Sequence, residues 1–272
     1  MLLIRYYWVI SFCLMIVFVG CKERKVRSVK KKKQSTKELV VYCENTMLNL
    51  VVDLKQEFET QYKCNVIIQN DCSKNLMAII EYSGKGDLYI PSSSHSFERF
   101  YDVTGQSLSD SLFLGYNHLV YMVKKGNPKA FTGYLSHLKR KKYALIIANA
   151  ETSALGYETK RFLSQQRAYD QIVTNAISLT SDSKGLVKGL KDDHADVVIN
   201  WRSNLYAHDN QCYVEVVAPQ LTNNPALPIY AAVLSCSQEA GLAQAFLNLA
   251  ASHLSEERLS NYGFSKRQTI IF

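Results

Sequence analysis

Short apolar strands alternate with amphipathic helices along most of this 272-residue chain, and this alternation limits the possible folds more than any other feature. Compact apolar runs predict strands at residues 39–43, 65–69 and 87–90. Between them, residues 47–58 and 76–80 carry apolar side chains at helical spacing. A βαβαβ order indicates a parallel sheet that is covered by helices and joined by right-handed crossovers.

A second set of elements follows the first. Residues 119–123, 144–148 and 197–200 read as strands separated by helical stretches, and the chain returns through residues 229–234 into an amphipathic helix at residues 242–249. About 235 residues remain after the N-terminal segment, which is enough to bury a real core as one large domain or as two lobes. We therefore predict an α/β fold of two lobes, each a mostly parallel sheet flanked by helices, with two interlobe crossovers.

The expected boundaries follow from this pattern. Residues 38–116 would form the first part of lobe I, residues 117–221 lobe II, and residues 222–272 the return to lobe I.

The N-terminus resembles an export signal. It has one basic residue, Arg5, an apolar run at residues 6–19, and Val19-Gly20 before Cys21. We predict that residues 1–20 are a lipoprotein signal peptide and that Cys21 is lipidated, although Phe18 is bulkier than the leucine usual at that position. The alternative is an uncleaved signal anchor. Either reading places the rest of the chain on the periplasmic or cell-surface side of a membrane.

Residues 21–37 look like a basic tether. Residues 22–37 contain nine Lys or Arg against one acid, Glu23, so residues 38–272 keep 22 basic and 23 acidic residues. The nearly neutral folded part lacks the charge pattern of a nucleic-acid-binding surface, so we expect no nucleic-acid partner. A polybasic segment beside a lipid anchor would instead be attracted to anionic headgroups.

No pattern in the chain is typical of an enzyme. The six histidines are scattered without metal-ligand spacing, and no nucleophile elbow, zinc motif or phosphate-binding glycine loop is present. We expect no metal site, no cofactor and no catalytic residue. A cysteine-dependent enzyme is the less favoured alternative, with Cys43 or Cys72 as its nucleophile; one disulfide among Cys43, Cys64, Cys72, Cys212 and Cys236 also stays open.

Two hydroxyl residues follow the first two predicted strands. Thr46 and Ser73 stand where each strand passes into its helix, at the sheet edge where open α/β sheets bind ligands. We expect both to be N-cap residues. The same position would let hydroxyls and free N–H groups face an anion, with help from the helix dipoles.

From about Glu38 to Phe264 the chain resembles the periplasmic molybdate-binding protein family, a branch of the type II solute-binding proteins of ATP-binding-cassette importers. The order and spacing of the matching segments carry the resemblance: residues 46–47, 73–76, 84–90, 117–120, 125–128, 150–157, 201–204 and 261–264.

The resemblance implies a monomeric protein that binds molybdate or tungstate between its lobes and passes it to an inner-membrane permease. It implies hydroxyl and backbone N–H donors from Thr46 and Ser73 in lobe I. It also implies backbone N–H donors from Leu155 and Leu186 in lobe II, and Trp201 at the place of a ligand-binding tyrosine. A ligand-sensing or accessory oxyanion-binding module without an importer is the alternative.

Three points of the implied site differ from the family pattern or constrain it. Trp201 donates only through its indole N–H, and a buried aromatic at a strand end is the structural alternative for it. Glu44 would repel a dianion, so we expect it to turn away from the cleft or to pair with a base. A ring of donors alone would also disfavour a protonated oxyanion, which brings a donor of its own.

Overall fold

The computed structural model describes residues 36–218 and 226–268, so the leader, Cys21 and the predicted return at residue 222 lie outside the described residues. Nine strands are present in this part of the chain: β1 Glu38–Glu44, β2 Asn65–Asp71, β3 Leu88–Ile90, β4 Leu108–Lys124, β5 Leu145–Ala148, β6 Ser178–Thr180, β7 Val197–Trp201, β8 Val214–Val217 and β9 Ala226–Leu234.

Ten α-helices accompany these strands in the described ranges: α1 Leu48–Tyr62, α2 Ser73–Ser83, α3 Ser94–Glu98, α4 Phe100–Thr104, α5 Leu135–Leu138, α6 Ala154–Gln165, α7 Tyr169–Asn175, α8 Ser183–Lys191, α9 Ala240–Ser252 and α10 Glu256–Ser260. Short 3-10 turns at Asn45–Met47, Arg202–Tyr206 and Asn210–Cys212 complete the regular structure there.

Lobe I contains a mixed sheet in the order β2-β1-β3-β9-β4. β1 pairs in parallel with β2 and β3, whereas β9 runs antiparallel to both β3 and β4. The parallel βαβαβ unit predicted from the apolar runs is therefore confirmed. Buried side chains of β1, α1 and α9 form its main core, with Phe58 and Phe246 in edge-to-face contact at 5.2 Å between ring centroids.

Lobe II contains the strands β4-β7-β5-β6, with β8 on the other side of β4. β5 pairs in parallel with β6 and β7, and β4 is antiparallel to β7 and β8. Each lobe thus has three parallel strands extended by antiparallel ones. The predicted two-lobed α/β fold is confirmed, with more antiparallel pairing than "mostly parallel" suggested.

The 17-residue strand β4 joins the two sheets. Its first part pairs with β9 as far as His118, opposite Ala226, and its second part pairs with β7 from Leu119, opposite Trp201. One continuous strand therefore carries the chain from lobe I into lobe II. The sequence pattern indicated only the second part of this strand.

Two further properties can be stated for the described residues. The five cysteines in this part of the chain are all free, so none of them forms a disulfide with another. No helix among the described residues is both long and apolar enough to cross a membrane.

Candidate functional site

A small cavity of about 20 Å³, here called the interlobe cavity, lies between the two lobes at the ends of their parallel strands. Lobe I contributes the end of β1, the turn after it, the start of α2 and the loop after β3. Lobe II contributes the starts of α6 and α8 and the end of β7. The residues that matter most for its chemistry are Glu44, Thr46, Ser73, Ser92, Leu155 and Trp201.

Thr46 and Ser73 both line the interlobe cavity, but neither caps a helix. Thr46 lies in a 3-10 turn, and its buried Oγ1 has no hydrogen-bond partner among the described residues. Ser73 is the first residue of α2, after the N-cap residue Cys72, and makes no capping bond. The expectation of two N-caps is therefore wrong. The Thr46 hydroxyl is therefore available to a ligand, whereas the Ser73 hydroxyl interacts with the Glu44 carboxyl.

Capping in lobe II is done by two other residues of the cavity wall. Ser153 Oγ accepts a hydrogen bond from the Gly156 N–H at 3.0 Å, and Asp182 Oδ1 accepts one from the Gly185 N–H at 2.8 Å. These bonds fix the starts of α6 and α8. Each helix therefore directs its positive dipole end and its remaining free N–H groups at the cavity.

Leu155 and Leu186 differ in their helix positions. Leu155 is the second residue of α6 and lines the cavity, so its N–H has no intrahelical acceptor. Leu186 is the fourth residue of α8, where the N–H first meets an acceptor within the helix, and it is not among the described residues that line the cavity. Ser183, the first residue of α8, lies in the wall instead.

Trp201 ends β7 and lines the cavity with only 1% of its surface exposed. Its backbone N–H is bound by the Asn200 side chain at 2.8 Å, which fixes the end of the strand. The residue is therefore a buried aromatic at a strand end and also a wall of the cavity.

Glu44 faces the cavity, contrary to the expectation that it turns away or pairs with a base. It ends β1, is only 6% exposed, and its Oε2 accepts a hydrogen bond from Ser92 Oγ. Its Oε1 is buried without a hydrogen-bond partner among the described residues. Burial raises the pKa of this carboxyl, and the hydroxyls of Ser92, Ser73 and Ser96 offset part of the rise.

The serines after β3 are functional candidates that the sequence pattern did not single out. Ser92 lines the cavity, and the buried Ser93 Oγ has no partner in the described part of the chain. A signal was available, because three consecutive serines follow the third parallel strand at the sheet edge that holds Thr46 and Ser73. The reasoning that selects hydroxyls after the first two strands applies equally to this third junction.

Of the two cysteines near the cavity, Cys43 is buried and Cys72 is partly buried. Burial raises the pKa of Cys43 to about 12 and also raises the pKa of Cys72. A thiol with a raised pKa is protonated at neutral pH and is a poor nucleophile. This chemistry does not support the alternative of a cysteine-dependent enzyme.

A larger cavity of about 230 Å³ adjoins the interlobe cavity and shares Ser73, Ser153 and Ala154 with it. Lys74 and Arg99 bring positive charge to this adjoining cavity.

Comparison with known protein families shows to which family this chain belongs. A family model described as bacterial extracellular solute-binding protein matches residues 39–265, nearly the whole folded part. The chain belongs to this family. The resemblance to type II solute-binding proteins seen in the sequence is thereby confirmed.

Solved structures share the fold of this extracellular solute-binding protein. The periplasmic molybdate-binding protein of Azotobacter vinelandii is 13% identical with a TM-score of 0.67, over 85% of this chain and 100% of that one. PEB3 of Campylobacter jejuni, solved with L-phospholactate, is 16% identical with a TM-score of 0.69, over 84% and 100%. The sulfate-binding protein SubI of Mycobacterium tuberculosis is 16% identical with a TM-score of 0.68, over 84% and 86%.

No curated protein matches the solute-binding protein at the sequence level.

Proposed function

We propose that this extracellular solute-binding protein captures a tetrahedral oxyanion in the interlobe cavity, with molybdate and tungstate as the first candidates. The protein would then deliver the anion to the permease of an ATP-binding-cassette importer. A lipid on Cys21 would hold it at the membrane surface.

The observation that carries this proposal is the convergence of donors from both lobes on one small cavity. Helices α2, α6 and α8 all begin at its wall, and the starts of α-helices favour anions through free N–H groups and the helix dipole. Thr46 adds a buried hydroxyl that has no partner among the described residues. An anion oxygen would pair this hydroxyl and remove the cost of leaving it unsatisfied.

The size of the cavity favours a compact ligand. A volume of about 20 Å³ is just above the roughly 10–15 Å³ that one water molecule requires. An inorganic oxyanion exceeds this volume by less than a sugar or an amino acid does, so it requires a smaller separation of the lobes. A rigid set of donors would select among oxyanions by bond length, because molybdate and tungstate are larger than sulfate and phosphate.

A second candidate ligand is an oxyanion with an organic substituent. The adjoining cavity of about 230 Å³ opens beside Ser73 and contains Lys74 and Arg99, which form no ion pair with a described residue. A phosphate ester could place its oxyanion in the interlobe cavity and an anionic substituent beside these two cations. The L-phospholactate bound to PEB3 is a ligand of this kind.

Calorimetric titration of the full-length protein in detergent tests the proposal. The panel contains molybdate, tungstate, sulfate, inorganic phosphate and phospholactate, added to protein freed of bound anions by unfolding and refolding. We expect heat of binding at one site per chain for at least one of them. The absence of binding for every anion in the panel would contradict the proposed function.

Variants of the two lobe I hydroxyls locate the site. Thr46→Ala with Ser73→Ala should weaken binding at least about a hundredfold, because each lost charge-assisted bond is worth roughly 1.5–3 kcal/mol. Thr60→Ala, at an exposed threonine of α1, is the matched control and should bind as the wild type does. Unchanged affinity in a folded double variant would rule out the interlobe cavity as the site.

The lipid anchor has a separate test. Cys21→Ser should abolish labelling by a fatty-acid probe and leave the precursor unprocessed, since the thiol is the predicted attachment point. A variant that is still labelled and cleaved at the same place would contradict the lipoprotein assignment without affecting the binding site.

A further inference from the structure

We propose that the ligand-loaded interlobe cavity holds one proton between Glu44 Oε1 and an oxygen of the bound anion. The inference rests on the proposed function and deepens it, because it names the protonation state in which the site takes its ligand. It also assigns Glu44 as a residue that determines specificity.

The geometry of Glu44 supports this assignment. The carboxyl lines the same small cavity as Thr46 and Ser73, and its Oε2 is held by Ser92. Oε1 is the free oxygen, buried and without a partner among the described residues. An anion that fills so small a cavity meets this oxygen directly. Two bare negative oxygens in contact repel strongly in a low-dielectric site, whereas one proton between them forms a charge-assisted hydrogen bond.

The titratable groups around Glu44 are no better proton donors to the anion than Glu44 itself. Cys43, Cys72 and Tyr89 are the titratable groups on lobe I that interact electrostatically with Glu44. Burial raises the pKa of each of them, so all three are neutral near pH 7. Across the cavity, Asp182 adds a second carboxylate and Lys184 a cation that acts on Cys43. Burial likewise raises the pKa of Glu44 itself, so the carboxyl readily takes a proton.

The source of the proton depends on the ligand. Molybdate, tungstate and sulfate arrive without a proton near neutral pH, so Glu44 must supply it as a carboxylic acid and donate to the anion. Hydrogen phosphate and hydrogen arsenate carry a proton, so an ionised Glu44 accepts from them. An accepting Glu44 would differ from the expectation from the sequence, which was a site of donors only that disfavours protonated oxyanions.

This arrangement fixes the difference in proton uptake between molybdate and hydrogen phosphate. That difference does not depend on whether Glu44 is ionised in the free protein. The loaded site contains one shared proton in every case. Binding of molybdate must therefore take up one proton more than binding of hydrogen phosphate, because the second anion brings its own. The count follows from thermodynamic linkage.

Calorimetry of the full-length protein in buffers of different ionisation enthalpy measures these counts. At about pH 8.5, where inorganic phosphate is hydrogen phosphate, we expect the uptake for molybdate to exceed that for phosphate by one proton. If only molybdate binds, its uptake should rise from zero towards one as the pH rises through the raised pKa of Glu44 in the free protein, with affinity falling about tenfold per pH unit once Glu44 is ionised. If only phosphate binds, it should release no proton at high pH and up to two at low pH, one from Glu44 and one from dihydrogen phosphate.

Glu44→Gln provides the decisive variant, because the amide keeps the size of the side chain and cannot titrate. In this variant the uptake for both anions should be equal, and molybdate affinity should no longer change with pH. Glu81→Gln, at an exposed carboxylate of α2, is the matched control and should keep the wild-type counts. Equal uptake for both anions in the wild type would overturn the inference, and so would a molybdate uptake that stays at zero at pH values where infrared spectra show the Glu44 carboxyl of the free protein to be ionised.

These outcomes separate the two proposals. A wild-type protein that binds an oxyanion without the predicted proton count contradicts only the role of Glu44. A wild-type protein that binds no oxyanion contradicts the proposed function itself.

Discussion

His95 of lobe I and Tyr157 of lobe II stack face to face, with 3.3 Å between ring centroids and 5° between ring planes. Tyr157 belongs to α6, the helix whose start presents Leu155 to the interlobe cavity. The stack therefore links the short lobe I helix α3, which follows β3, to the lobe II helix that we expect to bind the anion. Burial lowers the pKa of His95 to about 4, so the ring is neutral at pH 7.

Removing this stack should weaken ligand binding without destroying the site. Aromatic pairs contribute roughly 0.5–1.5 kcal/mol beyond their buried area, so Tyr157→Ala should lower oxyanion affinity about two- to tenfold in calorimetry. Tyr157→Phe keeps the ring and should bind nearly as the wild type does. Equal affinity in all three proteins would mean that the stack does not hold the lobes in their binding arrangement.

Alanine substitutions at Ser73 and Ser153 should lower the free energy of unfolding by different amounts, although both residues line the cavity. Ser153 caps α6, so Ser153→Ala should lower the free energy of unfolding by roughly 0.5–2 kcal/mol. Ser73 makes no capping bond, so Ser73→Ala should lower it by less than half as much. Urea denaturation of the two variants measures both values. A larger loss for Ser73→Ala would contradict the assignment of the caps.

A methyl group at Gly156 should disturb the anion site by displacing helix α6. A Cβ there would lie 2.1 Å from the Asn149 carbonyl oxygen, so α6 must shift away from the loop after β5. We expect Gly156→Ala to lower stability by about 1–3 kcal/mol and to weaken anion binding, because Leu155 moves with the helix.

The matched control for Gly156 is Gly241, near the start of α9. A Cβ at Gly241 would meet no described atom within 4 Å, so Gly241→Ala should leave binding unchanged and raise stability by about 0.4–1 kcal/mol. Thermal unfolding and calorimetry of both variants check the pair. Normal binding by Gly156→Ala would contradict the role of the α6 start.

Acid should destabilise the fold through His118. This histidine lies on β4, bonds Ser265 Oγ at 2.8 Å, and has its pKa lowered by burial to about 4. The unfolded chain binds the proton first, with a pKa near 6.5. The contribution of His118 is therefore complete above about pH 6.5 and is lost as pH falls towards 4.

Denaturation of His118→Gln at several pH values tests this point. Between about pH 6.5 and pH 4 the stability of His118→Gln should fall less steeply than that of the wild type. His194→Gln, at an exposed histidine, should follow the wild-type curve. Identical slopes for all three proteins would contradict the prediction.

The sequence predicted β1, β3, β5 and β7 because buried strands appear as compact apolar runs. It did not indicate the parallel strand β6, where two of the three residues are exposed. It missed the first part of β4, where apolar and polar residues alternate irregularly and Gly115 has a φ of +148° close to the Ser265 carbonyl. The pairing of that part depends on β9, more than 100 residues later, and no local pattern indicates it.

The candidate site was predictable where a residue's role follows from its position after a strand. Thr46 and Ser73 could be placed at the sheet edge for this reason. Leu186 could not, because its role depends on the residue at which α8 begins. The orientation of Glu44 depends on Ser92, which a different strand brings beside it. The residues adjacent to Leu186 and Glu44 in the sequence do not determine either feature.

X-ray diffraction from crystals grown with tungstate, recorded at the tungsten absorption edge, would locate the bound anion without reference to any variant. We expect one strong anomalous peak in the interlobe cavity, between Thr46, Ser73 and the start of α6, with an anion oxygen at hydrogen-bond distance from Glu44. A peak only at the adjoining lysine- and arginine-bearing cavity or elsewhere on the surface, or no ordered tungsten in protein that binds tungstate in solution, would contradict the proposed site.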